Sequence, residues 1–177
     1  MSDKEQRIII FDGPDRCGKT TIAQELSRRL DIPYFKYKGE TKAFATDPSH
    51  FMNVMKFAEP YFIDYLQDSN TSIIIDRGYP SEWIYSQIFG RQTDMDALFN
   101  VDRGFSNLKT KILIPFRSEY IQGDDRFKTI TPERLAEIDQ MCMKFIKWSS
   151  CETLRFCVDD EDLEREIEEI YSFLGVT

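Results

Sequence analysis

Short continuous apolar runs along the chain alternate with stretches in which apolar residues return every three or four positions. Arg7-Ile-Ile-Ile-Phe11 is one such run and stops at Asp12-Gly13, as a parallel strand buried on both faces does. From Gly18 to Leu30 the spacing changes, and Ile22, Leu26 and Leu30 fall on one face of a predicted helix. Pro33 to Tyr37 reads as a second strand. Asp47-Pro48 is a cap followed by a first-turn proline, which starts a helix that Pro60 should break or kink before Tyr61 to Leu66. Ser72-Ile-Ile-Ile75 is a strand ending at Asp76-Arg77; Pro80 and Ser81 then open a helix, and Met95 to Phe105 forms another. Lys111 to Pro115 and Leu154 to Val158 bring the predicted strands to five. Thr131-Pro132-Glu133 caps a further helix. Asp159-Asp160-Glu161 starts the last, with Leu163, Ile167, Ile170 and Leu174 inward and its acidic residues on the exposed face.

Strands alternating with helices predict an α/β fold, a parallel sheet covered on both faces. At 177 residues the expectation is one domain over 1–177, with the polar, glycine-containing, basic segment at about 117–131 as a lid. An apolar fraction of 41% is that of a globular chain. The formal net charge of −8 repels polyphosphates at long range, so a phosphate site must be a local basic pocket. The same charge disfavours nucleic acid as a partner. Cys17, Cys142, Cys151 and Cys157 lack metal-type spacing and read as reduced thiols. With a polar Ser2-Asp3-Lys4-Glu5 start and no membrane-length apolar run, the expectation is a soluble cytoplasmic chain without a membrane partner.

The strongest chemical signal is Gly13-Pro-Asp-Arg-Cys-Gly18-Lys19-Thr20, a phosphate loop of the Walker A pattern lying between a predicted strand and a predicted helix. Glycines let the backbone amides wrap an oxyanion at a helix N-terminus. Lys19 would reach the β- and γ-phosphates of ATP, and the Thr20 hydroxyl would ligate Mg²⁺. Thr21 completes the helix start. The chain has no Asn-Lys-x-Asp base-reading element of a GTPase, and its later strand ends in Asp-Arg where motor ATPases carry Asp-Glu. A cation there suits an anionic acceptor or a transferring phosphoryl. Asp15 and Arg16 add a carboxylate and a second cation at the same mouth. Those residue types fit a kinase better than a hydrolase.

Phe11-Asp-Gly-Pro-Asp-Arg-Cys-Gly-Lys-Thr-Thr21 resembles the phosphate loop of the thymidylate kinase family, in its arginine-containing variant. Asp76-Arg77-Gly-Tyr-Pro-Ser81-Glu-Trp-Ile-Tyr85 resembles the family's second block, with Ser81 and Tyr85 at matching offsets. The resemblance implies a nucleotide-kinase fold with strand order 2-3-1-4-5, and the family's habit points to a homodimer. It also implies Arg77 on the acceptor phosphate, Asp15 near the acceptor sugar, Arg16 on the transferring phosphoryl and Asp76 near Mg²⁺ through water. Three positions depart from the pattern. Lys38-Gly39-Glu40-Thr41 stands where the family has Arg-Glu-Pro-Gly, Tyr61 replaces the arginine four residues after the aromatic Phe57, and Gln87 falls one residue late, behind Ser86. The acceptor expected is therefore a pyrimidine deoxynucleoside monophosphate, dTMP-like or modified. A deoxynucleoside, or a nucleoside within DNA, is the alternative.

Other side chains carry two readings each. Glu40 is a general base for an acceptor hydroxyl or a solvated loop residue. Phe57, Tyr61, Trp83 and Tyr85 are base-stacking faces or core. Arg117, Arg126 and Lys128 clamp the donor or are surface charges, and Asp124-Asp125-Arg126 can equally form a local turn. Cys17 is an activated thiol beside Lys19 or a loop-packing residue, with packing favoured. His50 has no partner pattern.

Overall fold

The computed structural model describes residues 5–36, 53–121 and 131–176. Ile8–Phe11 (β1) is buried along its whole length, as its unbroken apolar run requires. It is followed by α1 (Lys19–Leu30), β2 (Tyr34–Lys36), a π-helical turn (Val54–Ala58) running into α2 (Glu59–Ser69), and β3 (Ile73–Asp76). Then come α3 (Tyr79–Ile88), α4 (Met95–Asn107), β4 (Lys111–Phe116), α5 (Pro132–Trp148), β5 (Glu152–Cys157) and α6 (Leu163–Leu174). All strand pairs are parallel and the order is β2-β3-β1-β4-β5, as the resemblance implied.

The alternation of side chains along β1 divides the core in two. Ile8 and Ile10 point into a layer built with Leu66, Ile84, Val101, Phe105 and Phe145 of α2 to α5. Ile9 and Phe11 point into the opposite layer, where Ile22 and Leu26 of α1 meet Ile167 and Ile170 of α6. A central strand needs apolar residues at both parities, which is why periodicity vanishes there. The chain leaves β1 towards β2 and leaves β3 towards β4, in opposite directions across the sheet. A crevice therefore opens outside the carboxyl ends of these neighbouring strands.

Three expectations need correction. Pro60 does not break its helix: a widened turn precedes it, in which the Glu59 N–H bonds to Val54 O five residues back. The wider turn relieves the clash between a proline ring and the preceding carbonyls. The last helix starts later than its acidic run, at Leu163, because Asp162 is the cap that accepts from Arg165 N at 3.2 Å. Asp159 is instead bonded to Ser118, and Asp160 to Arg165. Glu166 lies on the buried side of α6, not its exposed face, and burial raises its carboxyl above the ordinary value. Thr131 caps α5 as expected, accepting from Arg134 N. The predicted helix start at Asp47-Pro48, the strand end at Tyr37 and lid positions 122–130 lie outside the described residues.

Candidate active site

The loop between β1 and α1 owes its shape to its glycines. Gly13 has φ +122°, and a Cβ there would meet Ile114 Cγ2 at 3.1 Å and Pro115 O at 3.3 Å. Gly18, at φ 66°, is the N-cap of α1; it offers no capping side chain, and the first turn has no acidic residue. The N–H groups at this end of the helix are thus presented to an external anion. Arg16, at φ 67°, takes the left-handed conformation without being glycine, which costs about 1 kcal/mol or more. Lys19 is almost fully buried; its ammonium donates to Pro14 O and lies 3.9 Å from Asp15. Burial first, then the positive charge of Arg77, brings its pKa down to about 8.

The register of the sheet brings the second half of the site to this loop. Asp76 is paired with Phe11 of β1 on one side and with Lys36 of β2 on the other. Its Oδ2 accepts from Thr20 Oγ1 at 2.6 Å, from the Tyr34 hydroxyl at 2.7 Å and from Lys36 Nζ at 2.8 Å. Burial alone would raise this carboxyl, but the hydrogen bonds from Lys36, Thr20 and Tyr34 outweigh it and hold Asp76 below the usual range. A hydroxyl beside an ionised carboxylate is an oxygen donor pair suited to Mg²⁺. Among the described residues no group of three or more His, Cys, Asp or Glu converges to hold an ion unaided.

Arg77 follows, at φ 71°, with its N–H bonded to Phe11 O. One arm of its guanidinium donates to Ser81 Oγ at 3.2 Å and the Tyr85 hydroxyl at 3.4 Å, with the Tyr85 ring centroid 5.6 Å away. The other arm pairs with Asp15. Behind it sits Asp12, wholly buried, which accepts from Ser81 Oγ at 2.8 and 2.9 Å and from Gly13 N at 2.8 Å. Arg77 lies 3.7 Å from Asp12, yet burial still pushes that carboxyl up.

Of the residues singled out from sequence, Asp15, Arg16 and 18–21 line one cleft of about 190 Å³ together with Lys36, Asp76 and Arg77. Ser81 and Tyr85 stand behind Arg77. Arg117 ties the start of the predicted lid to the loop, donating to Arg16 O at 3.1 Å and to Glu161 at 2.7 Å. Phe57 and Tyr61 are outside the cleft lining, on the outer face of the helix, 70% and 76% exposed. Two residues that carried paired readings are resolved, both as packing residues. Cys17 is no activated thiol: its side chain is buried, and desolvation raises its pKa despite Lys19. Trp83 is core, packed edge-on to Phe145 and against Trp148. Glu40, His50, the 124–126 turn with Arg126, and Lys128 lie outside the described residues. Sequence reasoning missed Asp12, Tyr34 and Lys36; the period of two in β2, which puts Tyr34 and Lys36 on one face, was the available signal. A larger depression of about 390 Å³ near Gln92 to Asp96 is lined, among the described residues, by two carboxylates, one of them paired with Lys56 at 2.8 Å, a poor setting for phosphate.

No protein-family model matches the chain. A curated relative, the SPbeta prophage-derived uncharacterized protein YorR of Bacillus subtilis (strain 168), is 26% identical over 117 residues. That match covers 66% of this chain and spans 62% of the relative's length. The crystal structure of YorR from Bacillus subtilis, in complex with phosphorylated GDP, superposes with a TM-score of 0.64 at 17% identity over 95% of both chains. Thymidylate kinase from Ehrlichia chaffeensis gives 0.61 at 17% identity, covering 98% of this chain and 100% of that one. Deoxyadenosine kinase from M. mycoides, with products dCMP and a flexible dCDP bound, gives 0.55 at 19% identity, covering 94% and 98%. The fold is that of the P-loop nucleoside and nucleotide kinases.

Proposed function

We propose that this chain is an ATP- and Mg²⁺-dependent phosphotransferase whose acceptor is a pyrimidine deoxynucleoside monophosphate. The observation that carries this reading is the convergence of Lys19, Thr20, Asp76, Arg77 and Asp15 on one cleft at the carboxyl ends of β1 and β3. In the reaction an acceptor phosphate oxygen bonds to the γ-phosphorus, the bond to the β–γ bridging oxygen breaks, and ADP leaves.

The loop amides and Lys19 would bind the β- and γ-phosphates, while Thr20 and Asp76 would hold the metal. A bound Mg²⁺ would supply neutralisation of the polyphosphate charge. Arg16 meets the transferring phosphoryl, and Arg117 and Arg126 close on the donor from the lid of a single kinase domain.

Arg77 is the acceptor-phosphate residue. A phosphate replaces the Asp15 carboxylate on the guanidinium arm it holds, since both anions accept charge-assisted N–H bonds. That exchange releases Asp15 for the acceptor sugar. Ser81 and Asp12 keep the guanidinium in place during it.

A coupled ADP-release screen of nucleosides, mononucleotides and a short oligonucleotide tests the reading. A pyrimidine monophosphate should outcompete its nucleoside, and Arg77→Lys should not restore that preference. The deoxyadenosine kinase likeness supports a second reading, a deoxynucleoside kinase. It wins if a nucleoside is preferred and Glu40→Gln abolishes transfer; phosphorylation of the oligonucleotide alone would instead assign a polymer substrate.

A further inference from the structure

Lys36 has no counterpart in the phosphate-loop chemistry described above, yet it occupies the centre of the metal-binding pair. It leaves β2 opposite Asp76, and its Nζ lies 2.8 Å from both Thr20 Oγ1 and Asp76 Oδ2. The Thr20 hydroxyl spends its proton on Asp76 and accepts the Lys36 ammonium on one of its two lone pairs. Tyr34 fills a further position on Asp76 Oδ2. The two oxygens that would face a metal, directly or through water, therefore already face an ammonium.

We propose that Lys36 is a resident counter-cation that keeps divalent metal out of the nucleotide-free protein and makes metal entry conditional on a polyphosphate. This rests on the reading of Thr20 and Asp76 as the metal pair. An ammonium and a divalent ion repel strongly at contact distance and cannot share the same two oxygens. Thr20 and Asp76 give a bare ion few ligands, and Mg²⁺ sheds water reluctantly for so small a set. A polyphosphate changes both sides of this competition. It brings oxygens for the metal, and its charge offers the displaced ammonium a new anion. The four-carbon stem of lysine permits the shift without moving β2. Lys36 is partly solvent-exposed, with 37% of its side chain accessible, so the head can leave without crossing the core.

The test is Mn²⁺ binding to the nucleotide-free chain, read by electron paramagnetic resonance of the free ion. Lys36→Met should bind Mn²⁺ at least ~10-fold more tightly than the wild-type chain, because one contact charge has been removed. Lys36→Arg should stay as weak as wild type, and adding Thr20→Val to Lys36→Met should abolish the gain. Equal Mn²⁺ affinity in wild type and Lys36→Met overturns the proposal, as does a gain that survives Thr20→Val. With ATP present, both wild type and Lys36→Met should take up Mn²⁺. Failure of that last result would sink the kinase reading itself, while leaving the nucleotide-free comparison to judge Lys36.

Discussion

Two buried carboxylates, Asp12 and Asp102, are equally hidden from solvent and are held in different ways. Asp102, on α4, accepts from the Tyr79 hydroxyl at 2.7 Å, Ser149 Oγ at 2.5 Å and Ser150 N at 2.8 Å. Its hydrogen-bonding partners are neutral, and they pin the connection from α5 into β5. Asp12 takes neutral bonds from Ser81 and Gly13 but also faces Arg77, whose other arm holds Asp15 at the open cleft. One network is closed and spends its bonds on the fold. The other ends in ion pairs that an incoming anion can replace. Burial of charge is therefore no sign of function by itself; what distinguishes the site is that its pairs are exchangeable.

The sharpest way to break the comparison is to cut each network once. Lys19→Ala should lower kcat at least ~10²-fold, because it removes a preorganised charge from the transition state, while the thermal unfolding midpoint changes little. Near-wild-type turnover in that variant ends the kinase reading. Asp102→Ala should do the reverse. Leaving the Ser150 N–H and two hydroxyls without their acceptor should cost about 2 kcal/mol, a fall of roughly 4–8 °C in Tm, with KM for both substrates unchanged.

A smaller effect concerns pH. In the free protein Lys19 is largely neutral above pH about 8, whereas bound phosphates favour its charged form. Donor binding should take up a proton above that pH, and affinity should fall by up to about tenfold per pH unit, with no such slope below it. Calorimetry in buffers of different ionisation enthalpy reads the proton; a constant Kd through this range would remove Lys19 from the phosphate contact.

The smallest expected effect is at Arg16. Arg16→Gly relieves a left-handed residue and should raise stability by up to about 1 kcal/mol, roughly 2–4 °C. It should also lower kcat far more than it raises donor KM. A variant both less stable and equally active would make Arg16 a structural loop residue.

The strands and the phosphate loop were legible in the sequence because their signals are local. An apolar run ending in Asp-Gly, or glycines at fixed offsets, needs no knowledge of the rest of the chain. Asp12, Tyr34 and Lys36 were missed because each acquires meaning only through strand register, which sets Lys36 beside Asp76 across two elements distant in sequence. Trp83 stands in a helix whose Ser81 and Tyr85 do meet Arg77, so its burial against Phe145 is a matter of which face of one helical turn it occupies. Glu166 was assigned outward with its acidic neighbours; its position on α6 places it among the inward residues, and composition cannot report that.

The edge position of β2 gives the site a mechanical property. Among the described residues its part Tyr34–Lys36 lies at the edge of the sheet and pairs with β3, the ladder that carries both Tyr34 and Lys36. A slip of one residue would carry both side chains to the opposite face. Edge strands open at lower free-energy cost than interior ones such as β1. The aspartate that would receive the metal thus sits on a strand paired on both sides, while the ammonium that guards it hangs from the strand at the edge. Heating short of global unfolding should loosen the guard before it disturbs the ligand.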